Sequence, residues 1–323
     1  MEIDYTYFTK WEFDHLFKDY DGSDGFLILY PWIGGFNNVR QSLELSICLS
    51  YLTNRTLVLP EQLSINPLSG LVNFSDFFDI NNFGIKTILM SEFCSIKKID
   101  SSSIEKISRV LQYDYDLVVN FEDVPVPKSF LKGRKFVNVC NLFDNSDAIL
   151  LNKNLLGIFY QTIYTSFDKE LKMLIANHVR YKKEVFDIAW KFIDMLGDKK
   201  YYSIHIRRSD FIQYDHLFIS GKKVLENVKD TIPPGSTVYI STDHKDKGFF
   251  KSLKSKYNVI FYGDLTKKID FDFDINLIPM IEQLICTRGI KFVGMQLSTF
   301  SSYIFRMRGY MSDIEDKNYY INT

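Results

Sequence analysis

The chain has 323 residues, 46% of them hydrophobic and 24% charged, with 28 Phe and 20 Tyr; this supplies apolar material for large cores and excludes a disordered chain. Its length exceeds the usual span of one hydrophobic core and predicts two domains. A formal net charge of −1 gives no global attraction to nucleic acid or an anionic membrane, so any anion site must be local.

Residues 1–20 carry acidic and aromatic side chains where a signal peptide needs a basic start and an apolar run, and no later run is long enough to span a bilayer. The expectation is a soluble, cytoplasmic protein. Apolar Phe26–Tyr30, the pair Gly34-Gly35, then Val39, Leu43, Ile47 and Tyr51 at helical spacing, then Thr56–Leu59, form a βαβ pattern closed by Pro60. Glycines in the first turn let backbone amides approach a ligand, and the following helix offers unpaired N–H groups. The turn lacks both the GxGxxG fingerprint and a P-loop Lys, so by itself it fits an ordinary strand-to-helix turn better than a phosphate cradle. Asn54-Arg55-Thr56 and Asn73-Phe74-Ser75 are formal glycosylation sequons, but the first enters a buried strand and neither is expected to be modified.

Apolar runs at Thr87–Met90, Leu117–Val119 and Phe136–Val139 are expected to complete the first sheet. A mostly helical stretch from about Lys153 to Leu196 ends at Gly197, a suitable C-cap, which places the junction near Gly197–Asp198. The domains are therefore 1–197 and 198–323, the last helix either staying with the second or returning to the first. Beyond the junction come strands at Tyr202–Ile206, Val238–Ser241, Val259–Phe261 and Lys291–Val293. They alternate with helices around Val224–Val228, Phe249–Leu253, Leu277–Cys286 and Thr299–Arg308. That rhythm predicts parallel sheets with helices on both faces.

Two segments of this second half suit an anion. His205-Ile206-Arg207-Arg208-Ser209-Asp210-Phe211 sets two guanidinium groups and a carboxylate at the carboxyl end of a strand, where open α/β sheets bind ligands. Alone it reads equally as a surface ion pair. Gln296–Ser302 follows a strand and opens a helix, with four hydroxyls in five residues, more than capping needs. Asp243 is either a helix N-cap, the favoured reading, or a site carboxylate. Asp272-Phe273-Asp274 is a DxD string in an acidic-aromatic loop, and no metal is expected there. His15, His178, His216 and His244 lack metal-ligand spacing, while Cys48, Cys94, Cys140 and Cys286 lack CxxC spacing and read as free thiols of a reducing compartment.

In order and spacing, three segments resemble the superfamily of GDP-fucose-dependent fucosyltransferases, which includes protein O-fucosyltransferases and α1,6-fucosyltransferases. They are Gly34-Gly35-Phe36-Asn37-Asn38 with Arg40, running on to Asn54–Pro60; His205-x-Arg207-Arg208-x-Asp210; and Ser298-Thr299-Phe300-Ser301-Ser302. The resemblance implies an α/β, B-type glycosyltransferase fold with two Rossmann-like domains facing across a cleft, the first on the acceptor side and the second on the donor side. It implies metal-independent, inverting transfer of fucose from GDP-fucose to a protein or glycan hydroxyl, with no other cofactor. Arg207 would neutralise the β-phosphate, supported by Arg208, and Ser298, Thr299, Phe300 and Ser301 would hold the diphosphate. His205 would lie against guanine or ribose, and Glu282 stands where the family has an aspartate that pairs with guanine. Gly34, Gly35, Phe36, Asn37 and Arg40 would line the donor site, and Asn38 would stand near the acceptor. The chain departs from the family at Gly35, where one branch has arginine, and at Gly34, where another has a glutamate that acts as base. The base is therefore open: Asp210 either takes that role or orients Arg207 or Arg208. Two rival readings keep the fold, one with another nucleotide sugar and one as a silent glycan- or nucleotide-binding protein.

Overall fold

The computed structural model describes residues 20–30, 34–111, 117–120, 135–138, 146–151, 169–208, 219–295 and 298–311. The chain divides into two α/β units, residues 10–182 and residues 183–323.

In the first unit, β1 (Phe26–Leu29), β2 (Thr56–Leu59), β3 (Thr87–Leu89), β4 (Arg109–Leu111) and β7 (Ala148–Leu151) form one parallel sheet in the order β3-β2-β1-β7-β4. Leu27 pairs with Leu57 on one side and Ile149 on the other, and all three are wholly buried, as central parallel strands require. The runs at Leu117 and Phe136, expected in this sheet, pair instead with each other: β5 (Leu117–Asn120) and β6 (Lys135–Asn138) make a separate two-stranded parallel sheet. β4 and β7 take the places the sequence reading assigned to them.

Between β1 and β2 runs α1 (Phe36–Leu52), buried from Phe36 to Ser50 with the exception of Asn38. Its interior carries polar groups that such burial would penalise, so they bond locally. The Ser46 hydroxyl donates to the Ser42 carbonyl at 2.8 Å, and Thr53 closes the helix through its own hydroxyl on the Leu49 carbonyl at 2.7 Å. Asn54 then turns the chain at φ 50°, its amide oxygen accepting from the Asp21 and Gly22 N–H groups. Short helices α2 (Phe74–Phe77), α3 (Met90–Lys97) and α4 (Ile104–Ile107) precede α5 (Lys169–His178). The part of the expected long helix before residue 169 lies outside the described residues.

The second unit opens on α6 (Lys183–Leu196), which was expected to close the first domain. Its apolar stripe, Val185, Ile188, Ala189, Phe192, Ile193 and Leu196, is buried within this unit, and the Phe192 ring meets Tyr262, Phe271 and Phe273. That packing moves the boundary from Gly197–Asp198 to Lys182–Lys183. Gly197 does end the helix, at φ 77°. The sheet runs β10-β9-β8-β11, all parallel, from β8 (Tyr202–Ile206), β9 (Thr237–Thr242), β10 (Asn258–Phe261) and β11 (Phe292–Val293). Helices α7 (Gly221–Val228), α8 (Lys251–Lys254), α9 (Tyr262–Thr266), α10 (Ile278–Arg288) and α11 (Thr299–Tyr310) complete it. Against α10 lies α11, so the last helix stays with the second unit.

Strand alternation gives this sheet two unlike faces. Ile204, Ile206, Val238 and Ile240 join Val224, Val228, Phe250 and Leu253 in an apolar cluster. Ser203, His205, Tyr239 and Ser241 occupy the opposite face, towards α10 and α11, where the Ser203 hydroxyl donates to the Cys286 carbonyl at 2.7 Å. Arg308 of α11 donates to the carbonyls of Thr287 and Gly289, satisfying acceptors left over at the end of α10. The α/β class with two Rossmann-like units is the one expected from sequence.

Candidate active site

The polar sheet face becomes a site at the carboxyl end of β8. His205 is buried, its Nδ1 2.7 Å from the Ser301 hydroxyl, and its ring tilts against Phe300 with centroids 4.5 Å apart. Ser301 also accepts the Met295 N–H at 2.9 Å, so one hydroxyl ties the end of β8, the segment after β11 and the first turn of α11 together. Burial drives the His205 pKa down to about 3; nearby Asp243 opposes the shift and Arg207 adds to it. The imidazole is therefore neutral at physiological pH.

Arg207 and Arg208 follow β8, and their backbone N–H groups find different partners. Arg207 donates its backbone N–H to the Met295 sulfur at 2.9 Å, and its side chain remains partly exposed at the sheet's carboxyl end. Arg208 donates its N–H to Asp243 Oδ1 at 2.7 Å, while its guanidinium bonds the Ile219 carbonyl at 2.7 Å and lies 4.2 Å over the Phe249 ring. That guanidinium anchors the chain before α7. Asp243 is not a helix cap: Asp246 caps the following turn, accepting from the Gly248 N–H, and Asp243 locks the exit of β9 to the exit of β8. Asp210 lies outside the described residues.

Opposite Arg207's strand, α11 begins with Ser298 as N-cap, wholly buried and accepting from the Ser301 N–H. Ser298 and Ser301 thus serve the helix and the His205 bridge. The first-turn amides of Thr299 and Phe300 have no intrahelical acceptor and present the positive end of the helix dipole. Gln296 and Leu297, which open this segment, lie outside the described residues.

Glu282 of α10 reaches the same face. Tyr239 donates to its Oε1 at 2.7 Å, and Ser241 on the same strand face also draws the carboxyl towards its ionised form. Ser241 is the register partner of His205 across β8 and β9, so the carboxylate stands one strand from the imidazole. Desolvation pushes the Glu282 pKa up to about 7, against the pull of Tyr239, Ser241 and Lys247. Sequence reasoning singled out Glu282 but missed Tyr239 and Ser241; their signal was the polar alternation Tyr239, Ser241 inside an otherwise apolar strand.

In the first unit, the glycine turn has a different character from the one expected. Gly35 is the N-cap of α1 at φ −67°, and a Cβ there would make an ordinary 3.7 Å contact with the Asn66 carbonyl, so backbone conformation does not require glycine. Gly34 precedes it, partly exposed. Phe36 packs among Phe77, Phe78 and Tyr181 and is core. Arg40, expected at the donor, is 1% exposed: its Nε donates to the equally buried Glu44 at 2.8 Å and its Nη2 to the Val179 carbonyl at 2.8 Å. Its guanidinium lies over Phe78 and Tyr181. Those bonds and rings make Arg40 a structural residue rather than a phosphate ligand. Asn37 is buried, and the amide oxygen of Asn38 is shielded from solvent with no partner among the described residues.

Among the described residues no group of three or more His, Cys, Asp or Glu is arranged to hold a metal ion. In the DxD string, Asp274 caps a turn through the Asn276 N–H and Phe273 packs on Phe192. Cys48, Cys94 and Cys286 are free thiols, and Cys140 lies outside the described residues. No helix among the described residues is long and apolar enough to cross a membrane.

The family model for GDP-fucose protein O-fucosyltransferase matches residues 26–311. Among solved structures, the chain is similar to POFUT1 in complex with GDP, with a TM-score of 0.55 and 14% identity over 90% of this chain and 97% of that one. It is also similar to POFUT1 in complex with GDP-fucose, at 0.55 and 15% identity over 92% and 97%. Fucosyltransferase NodZ from Bradyrhizobium aligns at 0.51 and 12% identity over 89% and 93%. At these identities the likeness is one of fold. A search of curated protein sequences finds no match.

Proposed function

The chain belongs to the GDP-fucose protein O-fucosyltransferase family and is a GDP-fucose-dependent fucosyltransferase, and we propose that it moves fucose to a protein or glycan hydroxyl with inversion at the anomeric carbon. The observation that carries this reading is the 2.7 Å bridge from His205 to Ser301, which brings the strand end bearing Arg207 against the N-terminus of α11.

Breaking the bond between the fucose anomeric carbon and the β-phosphate oxygen leaves negative charge on that phosphate. A fixed guanidinium and helix-start amides stabilise the charge as it develops, which lowers the barrier directly. Arginine suits the role because it stays charged and offers a bidentate fork. In this reading Arg207 supplies the positive charge that a divalent cation supplies elsewhere, so transfer is metal-independent. Neutral His205 packs against guanosine without adding a charge, and the Glu282 carboxylate accepts from the N1–H and N2–H groups of guanine. The acceptor hydroxyl attacks from the opposite side of the sugar and yields its proton to a base. Asp210 is the candidate for that base, its alternative being to orient Arg207. Asn38 and the Gly34-Gly35 turn are assigned to the acceptor and donor sugar. Free Cys48, Cys94 and Cys286 support a reducing compartment, and we place the reaction in the cytoplasm.

The test is turnover of GDP-fucose by Arg207→Ala, read as GDP release. Loss of one transition-state donor lowers kcat by about a hundredfold or more, while the melting temperature moves by no more than about 2 °C because a partly exposed side chain has been removed. Wild-type turnover by this variant, or abolition of wild-type turnover by EDTA, overturns the mechanism.

A further inference from the structure

Glu282 is held from beneath by a single strand face. Tyr239 and Ser241 stand two residues apart on β9, so both project to the same side: the Tyr239 hydroxyl donates to the carboxylate at 2.7 Å, and the Ser241 hydroxyl adds to its pull towards the ionised form. Tyr239 is wholly buried and Ser241 is 2% exposed, so neither hydroxyl is free to turn to water. A buried tyrosine hydroxyl needs an acceptor, and a carboxylate makes that bond a charge-assisted one. Across the sheet their register partners are Ser203 and His205, which makes the hydroxyl pair part of the floor on which His205 stands.

We propose that Tyr239, aided by Ser241, is a positioning residue for donor recognition: its hydroxyl keeps the Glu282 carboxylate ionised and oriented to accept from the purine edge of guanine. This rests on the reading of Glu282 as the guanine partner. The remaining groups around Glu282 are Tyr262 from α9, Lys247 from the segment after β9, and Cys286 one turn further along α10. Among these described groups Lys247 is the cation. Desolvation favours the protonated acid and pushes the pKa up to about 7, while the Tyr239 hydrogen bond, Ser241 and Lys247 pull towards the ionised form. A protonated carboxyl has lost one of its acceptor positions to a donor and meets the two guanine donors poorly. Tyr239 is thus the nearest group that tips Glu282 towards the form guanine needs.

The experiment is calorimetric titration of the whole protein with GDP and with inosine 5′-diphosphate, which lacks the exocyclic amine, across about pH 6 to 8.5. Wild type, Tyr239→Phe, Ser241→Ala and Glu282→Gln are compared. In Tyr239→Phe the pH at which GDP affinity falls moves up by about one unit, which is roughly fivefold weaker binding at pH 7 and recovery to within about twofold at pH 8.5. Ser241→Ala shifts the same midpoint in the same direction by less, and carries the test if Tyr239→Phe does not fold. Uniform weakening at every pH, or wild-type behaviour at every pH, overturns the positioning role. Glu282→Gln separates the two ideas: loss of the preference for GDP over the inosine analogue supports the guanine reading, whereas a retained preference removes that reading and the proposal with it. If Glu282→Gln loses the preference while neither hydroxyl variant moves the midpoint, only the positioning role fails.

Discussion

Replacing Arg40 by alanine distinguishes a structural arginine from a ligand-binding one. The side chain is 1% exposed and its partner Glu44 is 0% exposed, with Nε and Oε1 2.8 Å apart. Removing the cation takes the paired charge from a buried carboxylate, strips the Val179 carbonyl of its bond from Nη2, and takes a planar group off the Phe78 and Tyr181 rings. Breaking such a pair from one side costs about 3–5 kcal/mol. For a unit of this size each kcal/mol moves the midpoint by about 2–4 °C, so the melting transition of the first unit falls by roughly 6–20 °C. Arg40→Met combined with Glu44→Leu recovers much of this, since an apolar pair removes the stranded charge. The assay is differential scanning calorimetry, with GDP affinity measured well below the transition. An Arg40→Ala protein that melts like wild type but no longer binds GDP refutes the structural assignment and restores Arg40 to the donor site.

Proton linkage acts on two site groups in opposite senses. His205 has its pKa lowered from 6.5 to about 3, so the unfolded chain binds more protons in that window and stability is lost as pH falls through it. Glu282 has its pKa raised from 4.5 to about 7, so the folded chain binds more protons there and stability is lost as pH rises from the lower value to the higher. Glu282→Gln removes only the second slope, so its stability relative to wild type rises with pH across that window; urea melts at several pH values measure this, and parallel curves refute it. At Gly221, the first residue of α7, a Cβ would overlap the Phe249 carbonyl. Gly221→Ala is therefore destabilising by about 1–3 kcal/mol. It also displaces the ring on which Arg208 rests, and an unchanged denaturation midpoint would sink this account.

Legibility in the sequence followed the range of the interactions. The β1-turn-α1-β2 unit and the β8 to α11 alternation were readable because apolar period and glycine or proline punctuation act over a few residues. The placing of Arg207 at a strand end and of Ser298 at a helix start was readable for the same reason. Membership of β4, β5, β6 and β7 in their sheets was not, since short apolar runs carry no record of which strand they pair with. The boundary moved because α6, amphipathic on any reading, gives no local sign of the side on which its stripe is buried.

The sequence by itself determined the kind of site: cations after a buried strand, hydroxyls before a helix, and a family pattern spanning residues 26–311. Tertiary structure decided which charged groups belong to it. Arg40, Arg207 and Arg208 have the same side chain, and only burial and partners separate a core ion pair, a partly exposed cation and a loop anchor. Likewise Tyr239 and Glu282 are 43 residues apart, and their bond exists only because α10 packs across the polar face of β9. Desolvation and long-range hydrogen bonds depend on what the folded chain brings near, so the electrostatic state of His205 and Glu282 cannot be written in their sequence neighbours.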